Sequence, residues 1–316
     1  MILYRTNLPQ LGDQLFIADS GMETTLIFHD GIDLPCFASF VLLEDAAGRA
    51  RLRDYFERHI AIARAAGTGI VLETPTWRAN ADWGAKLGYD AARLAAVNRA
   101  AVELLTELRE ALETAATPIV ISGNLGPRGD GYVADRKMNV GEAQAYHAPQ
   151  IETFAATEAD LVSVFTMNYV EEAIGIARAA QAADMPVVVS FTLETDGRLP
   201  SGMPLGEAIE ATDAATRTHP AYYMINCAHP THFAHVLHNA GPWRERLRGI
   251  RANASKRSHA ELDEATDLDD GNPAELATEY RELRALLPKL AVVGGCCGTD
   301  HRHIDAVCRG LAATAA

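Results

Sequence analysis

No apolar run in this 316-residue chain reaches the roughly 18–20 residues that a membrane-spanning helix needs. The opening residues, Met1-Ile-Leu-Tyr-Arg-Thr-Asn7, lack a basic segment followed by an apolar one. No signal peptide is therefore expected, and a cytoplasmic protein is. Cationic excess is missing too: 28 Lys and Arg stand against 42 Asp and Glu, for a formal net charge of −14. That balance argues against a general affinity for nucleic acid or anionic membrane surfaces and mildly favours cationic small ligands. Cysteine is sparse and odd in number, with five residues at 36, 227, 296, 297 and 308. Such a set does not make a disulfide framework; it implies a reducing compartment in which cysteines are buried, catalytic or metal-bound. Internal repeats and low-complexity tracts are absent as well.

What is present is a regular alternation. The composition is 48% hydrophobic and 22% charged, enough apolar material for a large core. Short β-branched runs predict eight strands, at Leu15–Asp19, Gly69–Glu73, Pro118–Asn124, Asp160–Phe165, Pro186–Phe191, Ala221–Asn226, Leu247–Ala252 and Leu290–Gly294. Amphipathic stretches separate them. Near-continuous apolar strands alternating with helices describe a parallel sheet covered on both faces. Eight in this length predict an α/β fold of one domain over residues 1–316, a (β/α)₈ TIM barrel. The alternative, an open doubly wound sheet, calls for a glycine-rich phosphate turn after the first strand. Asp19-Ser-Gly-Met-Glu-Thr24 lacks that spacing. Asn272-Pro273 reads as a cap before a proline at the first helical position. Pro149 is expected to kink or split the helix over 141–158. The polar stretch from 253 to 272 is long for a connection and reads either as a functional loop or lid or as a surface insertion.

In a TIM barrel the chemistry gathers at the C-terminal ends of the strands. Cys227 directly follows the sixth predicted strand, and Cys296 and Cys297 follow the eighth among Gly294, Gly295 and Gly298. Glycines permit backbone angles that turn two adjacent side chains toward one point. Three thiolates suit Zn²⁺ with a fourth place left open, the mark of a catalytic rather than a structural site. A substrate thiol taking that place would lose its proton near neutral pH and become a nucleophile. Spacing alone leaves a second reading standing, in which these cysteines are buried structural thiols.

The motifs carry a resemblance. Val292-Val-Gly-Gly-Cys-Cys-Gly-Thr299, followed by Asp300-His-Arg-His-Ile304, resembles the closing motif of the homocysteine S-methyltransferase family. Ile225-Asn-Cys-Ala-His-Pro230 is similar to its other cysteine motif, Asp19-Ser-Gly-Met-Glu-Thr24 to its opening turn, Glu73-Thr-Pro-Thr-Trp77 to its second-strand motif and Gly123-Asn-Leu-Gly-Pro127 to its third. The resemblance implies a barrel, a zinc site on Cys227, Cys296 and Cys297, and methyl transfer to a thiol, usually homocysteine giving methionine. It implies that Asp19, Ser20 and Gly21 hold the amino-acid part of the acceptor, with Glu73 and Asn226 in the wall.

Two positions depart from the pattern. Phe165, before Thr166, stands where the family usually has a glutamate that binds the amino group of homocysteine. A phenyl ring neither accepts a hydrogen bond nor balances an ammonium charge. Either another carboxylate, such as Glu23 or Glu194, takes that role, or the acceptor is a different thiol. Ser20 stands where the family usually has glycine. One barrel leaves no room for folate and corrinoid domains, so the donor should bind directly; S-methylmethionine, S-adenosylmethionine and glycine betaine fit. Trp77, Phe165, Tyr132 and Tyr169 are candidate aromatic faces for such a cation. His229 is close enough in sequence to Cys227 to reach the site, and His301 and His303 could orient the paired cysteines. Two further classes are a zinc hydrolase or lyase, which three cysteines disfavour, and a non-catalytic zinc-binding barrel. The sequence does not give the oligomeric state.

Overall fold

The computed structural model describes residues 2–238, 241–265 and 267–312. Its strands are β1 (Phe16–Ile17), β2 (Gly69–Glu73), β3 (Ile119–Leu125), β4 (Leu161–Met167), β5 (Val187–Phe191), β6 (Tyr222–Asn226), β7 (Leu247–Ala252) and β8 (Val292–Gly295). They form a closed barrel in sequence order, every neighbouring pair parallel. Closure is made by β1 against β8, with Phe16 opposite Val292 and Ile17 opposite Val293. The fold is a single (β/α)₈ barrel, and the open-sheet alternative is excluded.

The helices are α1 (Met22–Thr24), α2 (Ala46–Ala66), α3 (Ala81–Lys86), α4 (Ala91–Leu112), α5 (Val140–Ala155), α6 (Val170–Ala182), α7 (Leu205–Thr216), α8 (Pro230–His238), α9 (His259–Asp263), α10 (Pro273–Leu286) and α11 (His301–Ala312). Their starts follow side-chain capping. Asp45 and Asp90 accept from backbone N–H groups of α2 and α4, Asn139 and Glu142 form a reciprocal box at α5, and Asn272 caps α10 before Pro273. Each cap satisfies donors that the first turn leaves open.

Pro149 does not split α5, which runs unbroken across it. Pro149 and Ala145 are both exposed, so the carbonyl that loses its partner faces water rather than protein. Strand ends also differ from the periodicity. The first strand shrinks to two residues, whereas β4 extends to Met167 through a register shift against β5. Apolar runs mark burial, not where the hydrogen-bond ladder stops.

Alternation divides the core into two layers. Outward residues such as Ile70, Leu72, Val162, Val164, Ile250 and Val293 pack under the helices. Inward residues Phe16, Val71, Val120, Leu161, Val188, Tyr222 and Val292 fill the barrel. Toward the C-terminal ends the inward positions become polar: Glu73, Ser122, Ser163, Ser190, Asn226 and Arg251 are all buried. The floor of the site is thus written into the strands themselves.

Candidate active site

Cys227 leaves β6 with its backbone in the left-handed region (φ 52°), a conformation that costs a non-glycine residue and recurs at functional sites. Cys296 and Cys297 leave β8 before Gly298 (φ 78°), whose N–H donates to Thr24 Oγ1 at 3.0 Å. Gly21 lies against this turn so closely that a Cβ there would sit 2.5 Å from the Cys296 carbonyl oxygen. The three sulfurs lie within 4.8 Å of one another, and those of Cys227 and Cys297 are 3.7 Å apart. Ligands about 2.3 Å from a tetrahedral zinc stand about 3.8 Å from each other, so this pair has the spacing of a shared ion. Cys227 and Cys296 are joined as a disulfide, a single bond at the site and not a framework. Convergence on one point brings two thiols within bonding reach, and only their reduced form can ligate a metal. Among the described residues no fourth His, Cys, Asp or Glu joins the cluster.

The residues expected to hold the acceptor, from Asp19 through Glu73, Trp77, Phe165 and Thr166 to Asn226, line one cavity of about 490 Å³ together with the three cysteines. Asp19 is 2% exposed; it forms an ion pair with Arg251 and accepts from the Tyr55 hydroxyl at 3.1 Å. Ser20 Oγ lies 2.9 Å from His59 Nε2, a contact that glycine could not make. Trp77 Nε1 donates to Thr166 Oγ1 at 3.0 Å. The Thr166 N–H and the Ser190 hydroxyl both donate to Asn226 Oδ1, at 2.9 and 2.7 Å. The Asn226 amide nitrogen reaches toward Cys296 Sγ at 4.0 Å, which holds the β4 end and the sulfur cluster in register.

Several expectations are corrected. His229 turns away, with Nε2 3.1 Å from Glu279. The histidine at the site is His259 of α9, which bonds the Cys227 carbonyl and packs on the Tyr132 ring at 4.3 Å. Glu194 is not in the cavity wall; it pairs with His259. Tyr169 is likewise absent from the wall, its hydroxyl accepting from Met138 N. The Trp77 face is taken by the neighbouring Arg78, whose guanidinium lies 4.0 Å from the Trp77 ring centre and 3.8 Å from that of Trp83. Tyr132 lines the cavity, and its hydroxyl lies 3.4 Å from the Cys297 sulfur and 3.5 Å from that of Cys227. Cys36 lines the cavity, while Cys308 is buried in α11. The polar stretch after β7 supplies wall residues, among them Ser255, His259, Asp263 and Asp269. His303 bonds Asp300 and the Asp270 carbonyl at 3.2 and 2.8 Å, which fixes the turn after Cys297.

Sequence reasoning missed Arg251. Its signal was a charged residue at an inward position of a buried strand end. Arg251 and Arg78 give the cavity two cationic side chains among a larger set of carboxylates that includes Glu23, Asp130, Asp263, Asp267 and Asp269. Burial raises the Asp263 carboxyl, with the Asp130 charge adding to it.

Glu73 is 4% exposed. Burial pushes its pKa up to about 7, against the opposing pull of Arg251 and of hydrogen bonds from Ser163 and Ser122. Between its ordinary 4.5 and about 7 the folded chain holds a proton that the unfolded chain releases. Stability therefore falls as pH rises through that window. Replacing Glu73 with glutamine should remove this loss. Urea denaturation at a series of pH values should show the variant gaining on the native protein by about 3 kcal/mol between pH ~4.5 and ~7; parallel curves would contradict the assignment.

A closed barrel whose strand ends gather three cysteines in one cavity defines a TIM-barrel enzyme with a thiol-rich centre. The family model described as homocysteine S-methyltransferase matches residues 16–311; the chain belongs to that family and is a methyltransferase acting on thiols. No curated protein sequence matches it. Among solved structures it is similar to the metallated form of the homocysteine methyltransferase MmuM from Escherichia coli, with a TM-score of 0.74 and 23% identity over 96% of this chain and 98% of that one. The oxidised form of MmuM gives a TM-score of 0.73 at 24% identity, covering 95% and 97%. At these identities the likeness is one of fold.

Proposed function

We propose that this protein moves a methyl group from a sulfonium or quaternary ammonium donor to a small-molecule thiol, with Cys227, Cys296 and Cys297 as the ligands of a zinc ion. The observation that carries the reading is the convergence of three sulfurs at the ends of β6 and β8 with, among the described residues, no fourth protein ligand beside them. That donor set suits zinc with one open place, which favours catalysis over a purely structural or binding role. A zinc ion held there would lower the pKa of a substrate thiol and keep it as the nucleophilic thiolate.

The remaining work falls to the chain. Tyr132 fixes two of the sulfurs by its hydroxyl, and His259 anchors the Cys227 carbonyl, so the ligands are held before substrate arrives. The carboxylates of the cavity attract a cationic donor, and their surplus over Arg78 and Arg251 compensates for the aromatic face that Arg78 occupies. Alignment of sulfur with the methyl carbon then supplies most of the rate. The chemistry needs no diffusing macromolecular partner, and the net charge of −14 speaks against nucleic acid.

Zinc-edge X-ray absorption on reduced, zinc-loaded protein tests this reading. Three sulfur ligands are expected, rising to four when a small thiol is added to saturation. A site with four protein ligands and no response to thiol, or failure to retain zinc after reduction, would overturn it.

A further inference from the structure

Arg251 is 6% exposed and lines the cavity. Its Nε donates to the Gly295 carbonyl and its Nη2 to the Ser20 carbonyl, both at 3.2 Å. The ion pair with Asp19 completes that side of the guanidinium. Nη1, buried with the rest, has no hydrogen-bond partner. A guanidinium is a rigid fork of five donors, so fixing Nε and Nη2 also fixes where Nη1 points. A buried charged group with open donors and a cavity beside it matches a planar anion such as a carboxylate.

The same floor offers an ammonium group little. Phe165 fills the wall, its ring centre 5.0 Å from the Arg251 guanidinium carbon, and a phenyl ring supplies no countercharge. Asp19 is committed to Arg251 and Tyr55. Glu73 is held by the Ser163 hydroxyl, and Glu23 accepts from Ser39 Oγ at 2.9 Å. Asn226 Oδ1 already takes two donors. An open acceptor in the wall is the amide oxygen of Asn124, which is neutral and serves a hydroxyl as well as an amine. An ammonium placed between Phe165 and Arg251 would be desolvated against a like charge.

Resting on the thiol methyltransferase reading above, we infer that the acceptor is a thiol bearing a carboxylate and no neighbouring ammonium group, and that the Arg251 guanidinium receives the carboxylate. Arg251 is then a specificity-determining residue, and the unoccupied hydrogen-bonding capacity of its guanidinium is completed by substrate. Phe165 completes the selection by packing on the carbon chain where a charged amino group would otherwise lie.

Three thiols of matched length separate the possibilities: L-homocysteine carries both charges, 4-mercaptobutanoate the carboxylate alone, and 3-aminopropane-1-thiol the ammonium alone. Each is titrated into reduced protein loaded with cobalt(II) in place of zinc, following the sulfur-to-metal absorption band that grows when another thiolate joins the ion. The expected order is 4-mercaptobutanoate tightest, at least tenfold tighter than homocysteine, with the aminothiol weakest. Homocysteine or the aminothiol binding tightest would overturn the inference while leaving the thiol chemistry intact. A spectrum that responds to none of the three would overturn the thiol methyltransferase reading and this inference with it. Arg251→Gln should erase the preference for 4-mercaptobutanoate over the aminothiol. Phe165→Glu, which leaves the Arg251–Asp19 pair in place, should shift preference toward homocysteine by at least tenfold. An unchanged ranking in folded Arg251→Gln would assign Arg251 a structural role, and one in folded Phe165→Glu would remove Phe165 from the selection; either result would overturn the inference.

Discussion

Cys297→Ser is expected to abolish both zinc retention and methyl transfer while leaving the barrel folded. Of the three clustered sulfurs, that of Cys297 is free of the disulfide and stands at tetrahedral-edge distance from Cys227. Serine keeps the size and the turn before Gly298 but replaces a soft sulfur, which suits zinc, with a hydroxyl that stays protonated. Partners behind metal ligands are typically worth about 10–100-fold in affinity, and loss of a ligand itself should exceed that, to a fall of roughly a thousandfold or more. Elemental analysis after dialysis against a weak chelator reads the zinc, and methyl transfer to a thiol reads the activity. Because the Cys297 side chain faces the cavity and not the core, the melting curve of the metal-free variant should overlay that of the metal-free native protein. A variant that keeps stoichiometric zinc would remove Cys297 from the ligand set and with it the proposed mechanism.

The cluster was legible because its logic is one-dimensional. A cysteine directly after the sixth apolar run and a cysteine pair directly after the eighth land on the same face of any closed parallel barrel, whatever the helices do. Strands β2 and β7 fell where their apolar runs placed them for the same reason: burial on both faces leaves a continuous signature. Pairings between distant side chains are of another kind. Arg251 and Asp19 meet only when β1 and β7 flank β8 across the closure, and no local pattern announces that an arginine in a strand is aimed inward at a carboxylate. The cover on Trp77 is decided at rotamer level, since nothing in Trp77-Arg78 says that the guanidinium will fold back onto the ring beside it. Nearness in sequence misled for His229, which begins the run into α8 and is drawn outward to Glu279 on α10. His259 reaches the site because the long connection after β7 returns over the cavity.

Asp160→Ala is expected to cost on the order of 4 kcal/mol of stability without touching the chemistry, because Asp160 works at the opposite end of the barrel from the cysteines. It precedes β4, is fully buried, and gathers four donors. Arg109 Nη1 of α4 approaches at 2.7 Å, Ile121 N of β3 at 2.9 Å, and Tyr4 N and Leu3 N at 2.9 and 3.3 Å. The carboxylate thus ties a helix, a strand and the N-terminal segment to one point. That segment closes the bottom of the barrel: Leu8 packs in the inner core with Tyr4 against it, the Tyr4 hydroxyl donates to Glu113 at 2.7 Å, and Arg5 donates to the carbonyls of Ala155, Thr157 and Ala159. Alanine removes the carboxylate from beside a guanidinium that is 3% exposed, and it leaves three backbone donors to find new acceptors. Removing one member of a buried ion pair typically costs about 3–5 kcal/mol, and each hydrogen bond to a charged group about 1.5–3 kcal/mol before relaxation. For a chain of this length the melting temperature should fall by roughly 6 °C. Zinc content and thiol affinity, measured well below the transition, should match the native protein, because the strands that present Cys227, Cys296 and Cys297 keep their ladder. A loss of zinc in parallel with stability would mean that the two ends of the barrel are energetically coupled, contrary to a division in which the lower layer holds the fold and the upper layer does the chemistry.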